Sequence, residues 1–144
     1  MKFLLCFALI ICGTLSLTFD FNNQLNVNGN DLELCSNNPK TGFFRDGYCR
    51  TNQQDRGTHT VCAEMTEEFL SFTKSKGNDL STARQHFPGL KPGDHWCLCA
   101  LRWKEALNAG KAPKVVLGAT NNHTLEYVPL DDLQNHAVVK SKDL

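Results

Sequence analysis

An α+β domain with short antiparallel strands and two to three short helices is the fold predicted, and three features of the chain predict it. Residues 58–65 alternate, with Val61, Ala63 and Met65 facing one way and Thr60, Cys62 and Glu64 the other, the two-residue period of a strand. The period then changes to a helical one, Met65, Phe69 and Phe72 forming a stripe at i, i+4 and i+7. Turn-rich text between these segments leaves room for short elements only.

Taken in order, residues 17–24 are an Asn-rich lead-in, and Asn28-Gly29 between Leu25-Asn26-Val27 and Leu32-Glu33-Leu34 is a hairpin signal, since both turn residues tolerate positive φ. Residues 36–57 carry the breakers Asn38-Pro39, Thr41-Gly42, Asp46-Gly47 and Arg56-Gly57 and read as loop. Thr66 is placed to cap a helix over 66–76, with Glu67 and Glu68 at its positive end, Lys74 and Lys76 at its negative end and Gly77 as the stop. Residues 78–93 form a loop stiffened by Pro88 and Pro92, and a second helix spans 101–109. Two short strands are expected within 115–128, at Val115-Val116-Leu117 and at Thr124 to Val128, followed by a short helix over 131–137 that Asp131 and Asp132 start. A tail, 138–144, closes the chain, so that residues 25–137 make one globular domain with strands expected at 25–35, 58–65 and 115–128.

With 144 residues there is room for one core, not two. Hydrophobic residues at 41% and charged residues at 21% describe a packed domain rather than a disordered one. Fifteen basic residues balance fifteen acidic ones, so nothing favours nucleic acid as a partner. Lys2, the apolar run Phe3 to Cys12 and the small residues Gly13, Thr14 and Ser16 have the layout of a signal peptide over 1–16. That run is shorter than the roughly 20 residues a membrane span needs, and the mature chain holds no other candidate. The expected location is therefore the secretory pathway: outside the cell, in the ER lumen or in a periplasm. Asn122-His123-Thr124 is a glycosylation sequon consistent with that route, whereas the likeness of Lys142-Asp143-Leu144 to an ER-retention ending with its Glu missing is read as chance.

Removing Cys6 and Cys12 with the signal leaves Cys35, Cys49, Cys62, Cys97 and Cys99. Two disulfides and one free thiol are the simplest use of five cysteines in an oxidising compartment. A zinc site is a second reading, weakened by the absence of any C-x₂-C pair and by His59, which on a regular strand would face away from Cys62. Thiol chemistry is the third, with Cys97 and Cys99 as a redox pair or one Cys as a nucleophile beside His59 or His95. Cys97-Leu98-Cys99 itself is ambiguous: on a strand the two thiols share a face, yet Trp96, Cys99, Ala100, Trp103 and Leu107 also make a helical stripe. Under every reading four sulfurs cluster. Cys49, Cys62, Cys97 and Cys99 are the expected four, Cys35 near the lead-in being the outsider.

Phe43, Phe44, Phe69, Phe72, Trp96 and Trp103 are most simply core residues. Arg45-Asp46-Gly47 reads as a turn with its own salt bridge rather than a substrate clamp, and His86, His123 and His136 as solvated. Two function classes stay open. One is a non-catalytic binding or scaffold domain stabilised by its cysteines, with a small molecule or another protein as partner; the other is a thiol- or zinc-dependent enzyme using Cys97 and Cys99. The first is preferred, because no second catalytic residue stands at a diagnostic spacing.

Gly42 to Gly47 (GFFRDG), His59 to Thr82 (HTVCAEMTEEFLSFTKSKGNDLST) and Phe87 to Leu107 (FPGLKPGDHWCLCALRWKEAL) together resemble the small, largely bacterial proteins of domain of unknown function family 2237, over about residues 25–137. The resemblance brings no activity with it. Members of the family generally look intracellular, which implies that cysteines shared with them did not arise as secretory disulfides and moves weight toward metal or thiol chemistry. Tyr48 stands where the family pattern often has a second Cys, and His95 where it usually has Arg; both weigh against a zinc site that uses His95. Asn121-Asn122-His123 replaces the family's usual Thr-His-Glu, so no role is carried onto His123.

Overall fold

The structure, a computed structural model, describes residues 23–139. The signal peptide, the start of the lead-in and the last five residues lie outside the described residues. Two strands, β1 (His59–Glu64) and β2 (His95–Cys99), pair antiparallel, with α1 (Glu67–Ser75) and the loop over 76–94 between them. The chain then continues through α2 (Ala100–Asn108), two 3₁₀ turns (Leu117–Ala119 and Asn122–Glu126) and α3 (Leu130–Asn135). This is a small α+β domain.

Strand alternation divides the interior in two. Val61, Ala63, Trp96 and Leu98 join Phe69 and Leu70 of α1, Trp103 and Ala106 of α2, Val115, Val128 and Leu133 in the main core. Cys62 and Cys97 instead belong with Cys35, Cys49 and Ala119 in a second, small core. The stripe Trp96 to Leu107 is thus split at Cys99: β2 ends there and the helix begins at Ala100.

Helix α1 forms as its sequence predicts. The Thr66 hydroxyl accepts the Phe69 N–H at 3.1 Å, Glu67 and Glu68 lie in the first turn and Lys74 in the last. Phe69 is fully buried, while Phe72 packs half-buried at the rim and Leu70 and Thr73 complete the inner face.

The strands expected at 25–35 and 115–128 do not form. Around Asn28-Gly29 the chain does reverse, but the pairing stops at one bridge, Leu25 with Asp31. Asn26 explains this: its side-chain oxygen accepts the Asn28 and Asn30 N–H groups, and its amide donates to the carbonyls of Asp31 and Gly118, so a side chain serves groups a ladder would have used. Val115 bridges Ala63 and Ala137 before the backbone tightens into a 3₁₀ turn. Asn121 then caps the next turn by accepting the His123 N–H, and Thr124 is buried against the Thr60 hydroxyl at 2.8 Å. Capping overrides the β-propensity of Thr124 to Val128.

Both edges of the ribbon are covered. Cys62 N–H donates to the Thr120 hydroxyl and Glu64 N–H to the Lys114 carbonyl on one side, and Cys97 N–H to the Thr41 hydroxyl at 2.8 Å on the other. Replacing Phe69 with Ala should cost about 3–5 kcal/mol through lost burial and the cavity left behind. Chemical denaturation checks it, with Lys74→Ala on the exposed face of α1 as the comparison that should change little.

Candidate functional site

Cys35 bonds to Cys62 and Cys49 to Cys97, with Cα–Cα separations of 5.7 and 5.3 Å, inside the range a disulfide spans. Cys62 and Cys97 are direct cross-strand partners, so two loop cysteines are bonded to adjacent positions of the ribbon. The cluster of four sulfurs therefore exists with one exchange: Cys35 belongs to it, and Cys99 is the free thiol. The lead-in was expected to leave Cys35 outside, but the Cys35 and Ser36 N–H groups both donate to the Gly47 carbonyl and hold this segment against the 41–49 loop. The sulfurs of Cys35, Cys49 and Cys62 lie within 4.8 Å of one another, a spacing that could hold a metal only in a reduced protein, since a disulfide sulfur has no thiolate to offer.

Cys99 faces a cleft of about 560 Å³ that runs along the outer edge of β2. One wall is the 42–45 loop, with Phe43 and Arg45; the other is the 78–87 loop, with Asp79, Arg84, His86 and Phe87; residues 96–99 form the floor. Phe43 is not a core residue: it is exposed and stacks on the His59 ring at 6.4 Å between centroids. The Arg45 guanidinium lies 5.0 Å from the Trp96 ring centroid and donates to the Gly42 carbonyl at 2.5 Å. Asp46 turns away to Arg50, at 2.6 Å, and to the Tyr48 N–H, so the expected salt bridge of the Arg45-Asp46-Gly47 turn is made by a residue beyond it. Among the described residues no carboxylate pairs with Arg45.

His59 reaches the cleft because of an irregularity. It pairs with Cys99, yet Val61 pairs with Leu98, so Thr60 is an extra residue in β1. A bulge of this kind changes which way the preceding side chain faces, which is why His59 stands beside Cys99 rather than across the ribbon from the cysteines. Asp55 fixes the ring. Its side chain is fully buried, one oxygen lying 2.6 Å from His59 Nδ1 and the other accepting the His59 N–H at 2.8 Å and the Thr51 hydroxyl at 3.1 Å. A carboxylate only accepts, so Nδ1 carries a proton, and in the neutral ring it is Nε2 that holds the free lone pair. Gly57 leaves the space this needs: a Cβ there would lie 2.3 Å from the ring's Cε1.

All three non-glycine residues with positive φ among those described belong to this region. Arg45 (53°) and His86 (61°) line the cleft, and Thr58 (48°) precedes His59. Strained backbone of this sort gathers at working sites. His86 is exposed, as read from sequence, and also lines a wall of the cleft. Asp55 had one available signal, its position four residues before His59 across the Arg56-Gly57 turn. Asn122 is exposed, as a glycan would require.

The model of the family described as an uncharacterized protein conserved in bacteria, DUF2237, matches residues 25–137. The chain belongs to this family. No curated protein matches it. Among the described residues no helix is long and apolar enough to cross a membrane.

Asp79 knits the 78–87 wall. Its carboxyl is held well below the usual carboxylate range, first by the Thr82 hydroxyl and then by the N–H groups of Thr82 and Ser81 and the Ser81 hydroxyl, against a cost of desolvation. Since the folded value is the depressed one, the wall's stabilisation is present above the unfolded value near 3.9 and lost only as pH falls through the folded value. Hydrogen exchange at pH 7 should accelerate over residues 79–87 in Asp79→Ala, with the amides of β1 and α2 unchanged.

Proposed function

We propose that this protein is a binding domain of the secretory pathway whose ligand site is the cleft beside β2. The compartment reading rests on the signal-like residues 1–16 and agrees with two buried disulfides, which persist in oxidising surroundings. A single observation carries the binding reading: the cleft is of ligand size and its walls bring together Arg45, which has no carboxylate partner among the described residues, and the aromatic surfaces of Phe43, Phe87 and Trp96. Arg84 also lines the cleft, but its guanidinium donates to the Asp79 carbonyl at 2.6 Å and lies 4.0 Å from the Asp79 carboxylate, so Arg45 is the cation the reading rests on. This chemistry suits a small anion with a flat apolar part, the guanidinium meeting the charge and the rings covering the remainder.

The anionic aromatic dye 1-anilinonaphthalene-8-sulfonate tests the reading. The folded protein should bind it saturably, one to one, and Arg45→Asn should weaken binding about tenfold, or about 1.4 kcal/mol. Asn is chosen because it tolerates the left-handed backbone at position 45. Absence of saturable binding, or equal affinity in the variant, would reject the cleft as an anion site.

A further inference from the structure

Binding alone leaves three groups of the cleft unused: a thiol, an imidazole and a buried carboxylate. Cys99 and His59 are directly paired across the ribbon and both line the cleft. Nε2 of His59 is left as a proton acceptor by the Asp55 contact at Nδ1. Cys99 is also the N-cap residue of α2, a nine-residue helix, so the thiol sits where the helix dipole presents its positive end, and its side chain makes no capping bond. A nucleophile, a base and a group that orients the base are the parts of a thiol acyl-transfer site, and here the two disulfides leave Cys99 as the one described cysteine able to act. Among the described residues no hydrogen bond joins the thiol to the ring; catalytic contacts of this kind often tighten only around a substrate.

We propose that the cleft transfers acyl groups from small anionic esters or thioesters, with Cys99 as nucleophile, His59 as general base and acid, and Asp55 as a positioning residue. The proposal rests on the cleft being the anion site and adds chemistry to it. Cys99 Sγ attacks the acyl carbon as its proton passes to His59 Nε2. The bond from that carbon to the leaving oxygen or sulfur then breaks, and the leaving group takes the proton from His59. Water next attacks the S-acyl carbon, giving a proton to His59; the carbon–sulfur bond breaks and the Cys99 thiol recovers the proton. The sum is ester plus water to acid plus alcohol or thiol, with no redox change. Arg45 supplies the charge that selects an anionic acyl group.

The probes are the mono-p-nitrophenyl ester of glutaric acid, which is anionic, and neutral p-nitrophenyl acetate, followed by nitrophenolate release and by the mass of the acylated protein. At pH 7 the glutarate ester should acylate Cys99 at least about tenfold faster than it acylates glutathione, and faster than acetate does; Cys99→Ala should remove the adduct. His59→Gln should slow acylation about a hundredfold at pH 7, the scale of general base catalysis, and converge with the parent at pH 10, where the thiol no longer needs a base. Convergence separates a base from a residue that merely shapes the cleft. Reaction of the parent no faster than glutathione, an adduct on another residue, or a His59→Gln rate equal to the parent at pH 7 would overturn the proposal. The glutathione comparison uses the parent protein alone and so decides even if the His59 variant does not fold. Dye binding without acylation would sink the chemistry and spare the anion site; acylation without dye binding or preference for glutarate would sink the anion site instead.

Discussion

A two-stranded ribbon buries too little to hold itself together in water, so something must cover both of its faces. On one face the cover is ordinary: α1, α2 and α3 pack Phe69, Trp103 and Leu133 over Val61, Ala63, Trp96 and Leu98. On the other it is covalent. Cys62 and Cys97, opposite one another in the ribbon, are bonded to Cys35 and Cys49, so the 35–49 segment is held at both ends against the strands. Closing chain separations of 27 and 48 residues removes denatured-state entropy corresponding to about 3–4 kcal/mol per bridge in the chain-entropy account. Apart from its two cysteines, the segment places no residue in either buried hydrophobic cluster.

The cleft follows from the clamp. Thr41, Gly42, Phe43 and Arg45 lie between the two bonded cysteines, so bonding the segment down sets them beside the outer edge of β2, where Thr41 takes the Cys97 N–H. Gly42 makes the fit possible: its φ is 97°, and a Cβ there would sit 2.2 Å from the Tyr48 carbonyl oxygen. The bulge at Thr60 turns His59 toward the same edge, and Asp55 locks its ring. Of three departures from regular backbone, Arg45 and His86 line the cavity and Thr58 immediately precedes His59, which does, as expected where residues are held for a task rather than for the stability of the backbone.

What the sequence showed of this, and what it hid, divides along physical lines. The strand at 58–65 and the helix after it were legible because their determinants are local: a two-residue period, a Thr66 cap, a Phe69 stripe. Residues 25–35 and 115–128 were misleading because Asn26 and Asn121 satisfy backbone groups with their side chains, an outcome set in part by where the carbonyls of Gly118 and Cys49 come to lie. The presence of a four-sulfur cluster could be argued from count and topology, but its membership could not, since Cys35 is brought in by bonds to Gly47 and Cys99 is released by the end of β2. The site was half visible. Cys99, His59 and Arg45 were candidates from their chemistry; Asp55, His86 and Phe87 were not, because only the folded loops place them.

Mapping the bridges tests the clamp and the free thiol together. The protein is alkylated without reduction and digested with trypsin, which separates Cys35, Cys49 and Cys62 at Lys40, Arg45, Arg50 and Arg56, while Cys97 and Cys99 stay on one peptide because only Leu98 lies between them and the next cut is at Arg102. Fragmentation of the cross-linked peptides should show Cys35 joined to Cys62, Cys49 joined to Cys97 and the alkyl group on Cys99 alone. A bridge that includes Cys99, or alkylation of all five cysteines in the folded protein, would contradict the account.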